Sequence, residues 1–207
     1  MRIIDITLPL RQDLAVWPGD VPVSLHQALS IKGGDSVNLG SVEMSLHAGT
    51  HMDSPYHFCD DATTAEGLDL SVCFGPALVI DVSGKSIITC GDLREVEVHR
   101  VERLLLKTNG WLDHSRFPEQ IPTIAPDVPE FLNRYGIVLL GVDVPSVDSI
   151  ESKSLPNHKS LYEFGITILE SLLLDKVEEG IYLLAALPLR IEGVDGAPVR
   201  ATLQILD

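Results

Sequence analysis

Three histidines and an aspartate crowd into one short stretch of this sequence, SLHAGTHMDSPYHF, which spans residues 45–58. The whole chain has only seven histidines. His47, His51 and Asp53 offer imidazole and carboxylate groups, which are the usual ligands of zinc and of similar transition metals. Asp53 carries two oxygens and could bridge two ions. The residue types and their spacing therefore predict a compact half of a metal site.

His57 lies one step further along the same stretch, near the predicted ligands but not needed to complete the triplet. The unperturbed pKa of an imidazole lies near neutrality, so this side chain can accept and return a proton at neutral pH. His57 is therefore the candidate general acid/base. Three histidines elsewhere in the chain are expected to be surface or hydrogen-bonded residues: His26, His99 and His114.

A second set of candidate ligands lies more than 100 residues downstream. Glu170 stands inside the apolar run GITILESLLL, where an ionised carboxylate is costly unless it is paired or metal-bound. A straight helix from His158 to Glu170 would separate the two by roughly 18 Å. Gly165 lies between them and is a poor helix-interior residue. The sequence predicts a break at or near Gly165 that folds both side chains toward one site. The alternative is an exposed His158 with Glu170 at a helix edge.

The elements that must position these residues read as strands with fewer helices. Short apolar runs predict buried strands in PALVIDVSG, RLLLKT, GIVLLGVDVP and GIYLLAALPLRI, with RIIDITLPL opening the chain and ATLQIL closing it. The alternation in SVEMSLH predicts a strand that ends at His47, so the cluster is expected on a loop after a strand. Helices are predicted for APDVPEFLNRYG, between Pro126 and Gly136, and for the region 157–177.

Length and composition limit the fold and the partners. A chain of 207 residues that is 45% hydrophobic predicts one domain over residues 1–207. The strands and helices predicted above make it an α/β domain, strand-rich with a few helices. The formal net charge of -15 repels phosphate backbones and anionic lipids, which argues against nucleic acid and membrane as partners. No apolar run approaches about 18 uninterrupted residues. The segment MRIIDITLPL lacks the features of a signal peptide.

The cysteines favour a reducing compartment. Cys59, Cys73 and Cys90 are odd in number and show no Cys-x-x-Cys spacing, so they do not predict a disulfide framework. A cytoplasmic location is the simplest setting for such a chain. Cys59 lies near the histidine cluster and could be a nucleophile, but a small buried thiol is the expected interpretation.

The motif HAGTHMDSPYH resembles the His-x-Gly-Thr-His-x-Asp-x-Pro-x-His signature of the metal-dependent cyclase family. The resemblance runs almost end to end, through DITLPL, VWPGD, GVDVPSVD, SKSLPNHKSLYEFGITILESLLLDKV and GAPVRATL. The first and last motifs are specific, whereas the apolar strands between them are not. Within the family, the motifs are similar to those of bacterial arylformamidases.

This resemblance implies a site with two divalent metal ions per subunit. Zinc and manganese stay open, because histidine and carboxylate ligands suit both. The implied ligands are His47, His51, Asp53, His158 and Glu170. Asp53 and Glu170 would each reach both ions, and His57 would be the proton donor and acceptor.

The resemblance also implies that Trp17, in VWPGD, contacts the aromatic part of the substrate. The alternative from the residues alone is a tryptophan that caps the core beneath the turn at Pro18 and Gly19. Trp111 has no comparable context and is expected only to pack. The polar residues of GVDVPSVD are expected to shape the pocket or a subunit contact: Asp143, Ser146 and Asp148.

The activity that the resemblance implies is hydrolysis of N-formyl-L-kynurenine to L-kynurenine and formate, a step of tryptophan breakdown. The implied fold is a swivelling β/β/α domain, and the implied assembly is a homodimer. Two other interpretations stay open. The protein could be another hydrolase of the family, such as one that opens the cyclic amide of isatin, or a metal-binding protein without turnover. The position of His57 beside five candidate ligands argues against the last of these.

Overall fold

The computed structural model describes residues 2–93 and 101–205. Its helices are α1 (Cys90–Leu93), α2 (Val128–Arg134) and α3 (Pro156–Glu163). Its strands are β1 (Ile3–Asp5), β2 (Ser24–Leu29), β3 (Leu39–Glu43), β4 (His51–Asp53), β5 (Phe74–Asp81), β6 (Ile87–Ile88), β7 (Arg103–Lys107), β8 (Thr123–Ile124), β9 (Leu139–Val142), β10 (Thr167–Glu170), β11 (Gly180–Ala185), β12 (Gly196–Pro198) and β13 (Thr202–Ile205). The prediction of a strand-rich α/β fold with few helices is confirmed. In the described ranges, no helix has the length and apolar character needed to cross a membrane.

Nine of the described strands form one sheet, in the order β1-β13-β11-β5-β7-β9-β10-β4-β12. The central strands β5, β7, β9 and β10 are parallel to one another. The strands on both sides of this centre pair antiparallel. β1 lies beside β13, with Ile4 opposite Leu203, so segments near both ends of the chain meet at one side of the sheet.

The central strands are buried on both faces. In β7, Leu104 and Leu106 belong to one hydrophobic cluster, whereas Leu105 belongs to the other. The first cluster includes Leu132 of α2 and Leu161 of α3. A parallel strand that is covered on both faces reads as a continuous apolar run, which is why these strands were recognisable in the sequence.

Gly165 ends α3 and redirects the chain into the sheet. It has a φ of +71°, which favours glycine. Its N–H donates to the carbonyl of Tyr162 at 2.9 Å, and the N–H of Ile166 donates to the carbonyl of Leu161 at 2.8 Å. These two bonds form a Schellman cap. The predicted break is confirmed, but the prediction of helix beyond it is wrong, because β10 pairs with β9 and β4.

The alternation in SVEMSLH does not produce a strand that ends at His47. β3 ends at Glu43 and all its residues are exposed, with Val42 at 54%. Among the described strands β3 pairs only with β2, so no core lies beneath it for the alternation to face. His51 and Asp53 lie on β4, and His47 lies in the turn before it. The predicted placement of the whole cluster on a loop is therefore wrong.

Candidate metal centre

The pairing of β4 with β10 brings the two predicted sets of ligands together. The strands are antiparallel, and their register places Glu170 directly opposite His51. Asp53 lies two residues after His51 on the same face of β4, because side chains alternate along a strand. α3 precedes β10 and carries His158. The sheet thus joins residues that are far apart in the sequence.

Asp53 lies at the centre of the cluster, with one oxygen toward each set of ligands. Its Oδ1 is 3.2 Å from Nδ1 of His47 and 3.3 Å from Nε2 of His51. Its Oδ2 is 3.4 Å from Nε2 of His158. Glu170 places Oε1 3.5 Å from Nε2 of His158 and Oε2 3.6 Å from Nε2 of His51. Each of the two carboxylates therefore lies close to His51 of the first set and to His158 of the second.

The cluster is buried and holds polar atoms without a hydrogen-bond partner. His51 is 1% exposed and Asp53 is 3% exposed. Nε2 of His51 and both oxygens of Asp53 have no partner within the described residues, which is unfavourable for buried polar atoms. Tetrahedral ligands about 2 Å from a zinc ion would lie about 3.3 Å apart. The distances of 3.2 to 3.6 Å match that spacing.

These observations fit divalent metal ions. Among the groups of described residues that could hold an ion, two share Asp53, namely His47-His51-Asp53 and Asp53-His158-Glu170. Imidazole nitrogen and carboxylate oxygen are the donor types that zinc and manganese accept. The structure thus brings together all five residues that the sequence proposes as ligands.

Two of the candidate ligand imidazoles are oriented by acceptors outside the cluster. Nδ1 of His51 lies 2.9 Å from the carbonyl oxygen of Gly49. Nδ1 of His158 lies 2.7 Å from Oδ2 of Asp148. Asp148 also accepts from the backbone N–H of His158 and of Asn157, so it holds both the ring and the start of α3. Such partners fix the tautomer and turn the other ring nitrogen toward the candidate metal site.

The three polar residues of GVDVPSVD therefore have separate roles. Asp148 orients His158, as described above. Asp143 accepts hydrogen bonds from the backbone N–H groups of Thr108 and Asn109, at 2.9 and 2.8 Å. Ser146 lines the cavity above the cluster. The position of Ser146 agrees with the expectation that this motif shapes the pocket.

His57 and Asp195 lie at the open edge of the cluster. His57 ends a one-turn 3-10 helix, Pro55–His57, that follows β4. Oδ2 of Asp195 is 3.3 Å from Nδ1 of His57 and 3.0 Å from Nε2 of His47. The side chain of His57 is 31% exposed, compared with 17% for His47 and at most 4% for the other four candidate ligands. Sequence reasoning missed Asp195, whose one signal was its place directly before the GAPVRATL motif.

The carboxylates determine the charge of two imidazoles. Burial lowers the pKa of His47, but the hydrogen bond to Asp195 and the nearby carboxylate of Asp53 outweigh it and raise the pKa to about 10. Burial also lowers the pKa of His158, and hydrogen bonds to its neighbouring carboxylates, Asp148 foremost, raise it to about 12. Burial raises the pKa of Asp53, but the close imidazoles of His158, His47 and His51 hold it well below its ordinary value.

Metal affinity is expected to rise with pH. In the metal-free protein, His47 and His158 hold a proton at neutral pH, because their pKa values are about 10 and about 12. A metal ion must displace those protons, so lower pH weakens binding. Calorimetric titration with zinc in two buffers of different ionisation enthalpy would measure the release. Heats that do not depend on the buffer would contradict this expectation.

Four of the five candidate ligands line a cavity of about 580 Å³, namely His47, His51, His158 and Glu170. Trp17, Trp111 and Phe117 supply aromatic wall, and the rings of Trp17 and Phe117 meet edge-on at 5.2 Å. The turn predicted after Trp17 is present, since its carbonyl accepts from the N–H of Asp20 and Gly19 has a φ of +94°. Trp111 is buried in the core, as expected for a packing residue, and it also lines the cavity.

Other predictions for single residues had mixed outcomes. Cys59 is exposed rather than buried, because the chain turns at the surface there, and it does not line the cavity. His26 is exposed and hydrogen-bonded to Ser24, as expected for a surface histidine. His114 is partly buried and its ring packs edge-on against Trp111. His99 lies outside the described residues.

Sequence comparison places the chain in one family. The family model described as "Putative cyclase" matches residues 4–149. A kynurenine formamidase of Geobacillus thermodenitrificans is 45% identical over 201 residues, which cover 97% of this chain and 96% of that protein. A kynurenine formamidase of Bacillus cytotoxicus is 44% identical over 203 residues, which cover 98% of this chain and 97% of that protein.

Solved structures agree with this placement. A structure described as a "predicted metal-dependent hydrolase" from Bacillus stearothermophilus matches with a TM-score of 0.80 and 27% identity, over 98% of this chain and 97% of that one. Isatin hydrolase A from Labrenzia aggregata matches with a TM-score of 0.84, over 100% of this chain and 94% of that one. Its sequence is 22% identical, so this match shows the shared fold. The chain therefore belongs to the cyclase family, and within it to the hydrolases of the kynurenine formamidase type.

Proposed function

We propose that this protein hydrolyses N-formyl-L-kynurenine to L-kynurenine and formate, as an arylformamidase of tryptophan degradation. One observation carries the proposal. Five candidate metal ligands converge beside His57, and four of them line one cavity with an aromatic wall. The names of relatives at 45% identity support the same substrate.

We propose that two divalent ions bind here, with zinc favoured and manganese as the alternative. His47, His51 and Asp53 would hold one ion, and Asp53, His158 and Glu170 the other. Ions bound there would lower the pKa of a coordinated water toward neutrality and polarise the carbonyl oxygen of the substrate. Metal analysis of protein purified without added metal would identify the ions.

His57 is proposed to carry the proton. Among the imidazoles at the site, it is the one that is neither buried nor directed at Asp53. It would accept a proton from the attacking water as the new C–O bond forms at the formyl carbon. It would then deliver that proton to the aniline nitrogen as the C–N bond breaks. This delivery is needed because an anilide anion is a poor leaving group.

The charges of the cavity wall favour an amino-acid substrate. Away from the imidazole cluster, the lining carries one carboxylate and one ammonium group, those of Asp20 and Lys153. N-formyl-L-kynurenine ends in an α-ammonium and an α-carboxylate, which these groups complement. Isatin has neither charge. The wall therefore supports N-formyl-L-kynurenine over isatin.

A steady-state assay tests the proposed function. Metal-loaded protein is expected to hydrolyse N-formyl-L-kynurenine and to leave isatin intact. Turnover of isatin alone would assign the protein to another hydrolase of the family. Turnover of neither compound would contradict both the N-formyl-L-kynurenine and the isatin assignment. The substrate would then be another amide or ester, or the protein would bind metal without catalysis.

Replacing Trp17 tests the aromatic wall. Trp17→Ala is expected to raise KM by about 2- to 10-fold with little change in kcat, because stacking on the substrate ring is worth about 0.5–1.5 kcal/mol. Trp17→Phe keeps an aromatic ring and should retain most of the affinity. Steady-state kinetics and thermal unfolding would be measured on both variants. A lower unfolding temperature with an unchanged KM would show that Trp17 only caps the core.

We also propose that the protein is a cytoplasmic homodimer. The β2–β3 hairpin exposes an apolar surface that a second copy could cover, with Leu25, Leu39 and Val42 at 43%, 52% and 54% exposure. The cytoplasmic location is supported by the cysteines of the chain, whose pattern favours a reducing compartment. Light scattering during size-exclusion chromatography should give the mass of two chains. The mass of one chain would overturn the dimer.

A further inference from the structure

Asp195 contacts two imidazoles with a single oxygen. Its Oδ2 lies 3.0 Å from Nε2 of His47 and 3.3 Å from Nδ1 of His57. The two rings lie side by side, with centroids 4.1 Å apart and planes inclined by 35°. One carboxylate thus links a proposed metal ligand to the proposed proton carrier.

The edge strand β12 holds Asp195 in this position. Gly196, the first residue of β12, pairs with Asp53 of β4. The carbonyl oxygen of Asp195 accepts the N–H of Ser54 at 3.0 Å. A Cβ on Gly196 would lie 2.9 Å from Cε1 of His47, so glycine lets that ring approach the strand. The backbone therefore places Asp195 beside both rings independently of its side-chain contacts.

We propose that Asp195 is a positioning residue for the reaction proposed above, on which this inference rests. It accepts the Nε2–H of His47, which turns Nδ1 of that ring toward Asp53. It also accepts the Nδ1–H of His57, which leaves Nε2 as the atom that exchanges a proton with water and substrate. A carboxylate partner of this kind fixes both the tautomer and the orientation of an imidazole.

Comparison with Asp148 shows what is distinctive about Asp195. Asp148 orients His158, is buried at 2% exposure and does not line the cavity. Asp195 has 40% of its side chain exposed and does line the cavity. It therefore acts at the edge where substrate and the proton carrier meet. The competing assignment is that Asp195 is itself a ligand, since His47, His57 and Asp195 could also hold an ion.

Asp195→Asn tests the proposal, because it keeps the size of the side chain and removes its charge. Glu192→Gln is the matched control, an exposed residue three positions earlier in the same loop. Zinc stoichiometry, kcat, KM and thermal unfolding would be measured on zinc-loaded protein. Ring nitrogen signals of His57 would be recorded by NMR on histidine-labelled protein.

The expected result has three parts. Asp195→Asn should keep the zinc stoichiometry of the unmodified protein at saturating zinc. Its kcat should fall by about 10- to 100-fold with KM nearly unchanged, the usual effect of losing an outer partner. The ring signals of His57 should move away from the Nδ1–H form. Glu192→Gln should match the unmodified protein in every measurement.

Two results would overturn the proposal. Loss of one zinc ion per chain in Asp195→Asn would make Asp195 a ligand. If Asp195→Asn has the same kcat and the same His57 ring signals as Glu192→Gln, Asp195 has no positioning role. If the unmodified protein does not hydrolyse N-formyl-L-kynurenine, the proposed function fails separately. The zinc stoichiometry and the ring signals then still decide whether Asp195 orients His57.

Discussion

Asp53→Ala is expected to lose bound metal and hydrolytic activity together. Asp53 is the residue shared by both groups of candidate ligands, and its oxygens lie 3.2 Å from His47 and 3.4 Å from His158. Its removal takes one donor from each group at once. Metal catalysis supplies several kcal/mol, so kcat/KM should fall by about 10³-fold or more. Elemental analysis and steady-state kinetics on the same preparation would measure both losses.

Asp61→Ala is the control for that experiment, because Asp61 is an exposed aspartate in the segment after the cluster. It should keep the metal content and activity of the unmodified protein. A metal-free but fully active Asp53→Ala variant would refute the binuclear account. Full metal content in that variant would show that Asp53 is not a ligand.

His57→Ala is expected to lower kcat by about 10²- to 10⁴-fold, the usual contribution of general acid/base catalysis. Metal content should stay near normal, because His57 contacts Asp195 and stacks near His47 without lying against Asp53 or Glu170. Its partial exposure also means that little packing is lost. Steady-state kinetics and metal analysis would be run together on the variant.

His26→Ala provides a matched histidine control, since His26 is exposed on β2 away from the cavity lining. It should leave kcat unchanged. Loss of metal from His57→Ala would instead make His57 a ligand or a structural residue. If the kcat of His57→Ala stays within a few-fold of that of the unmodified protein, another group must transfer the proton.

Much of the candidate site was accessible from local sequence, because its chemistry is concentrated in short segments. His47, His51 and Asp53 stand within seven residues, and ligand-type side chains at such spacing are recognisable without a fold. Glu170 was recognisable because an ionised carboxylate in an apolar run requires a partner. The break at Gly165 followed from the poor fit of glycine inside a helix.

Other local patterns misled because their meaning depends on what packs against them. The run after Gly165 is apolar, and a short apolar run suits a buried helix and a buried strand equally well. Its pairing between β9 and β4 makes it a strand. SVEMSLH alternates, yet β3 has no core beneath it, so Val42 is exposed. Neighbouring elements, absent from the local pattern, decided both cases.

The sequence by itself determined which side chains could bind metal and which imidazole could carry a proton, because those properties belong to residue type and close spacing. Only the tertiary structure decided how they meet. Antiparallel register set Glu170 opposite His51, and β12 brought Asp195 to His47 and His57. Asp195 is one of thirty acidic residues, and nothing local distinguishes it. Long-range strand pairing selects it, because register is fixed by the packing of the whole sheet.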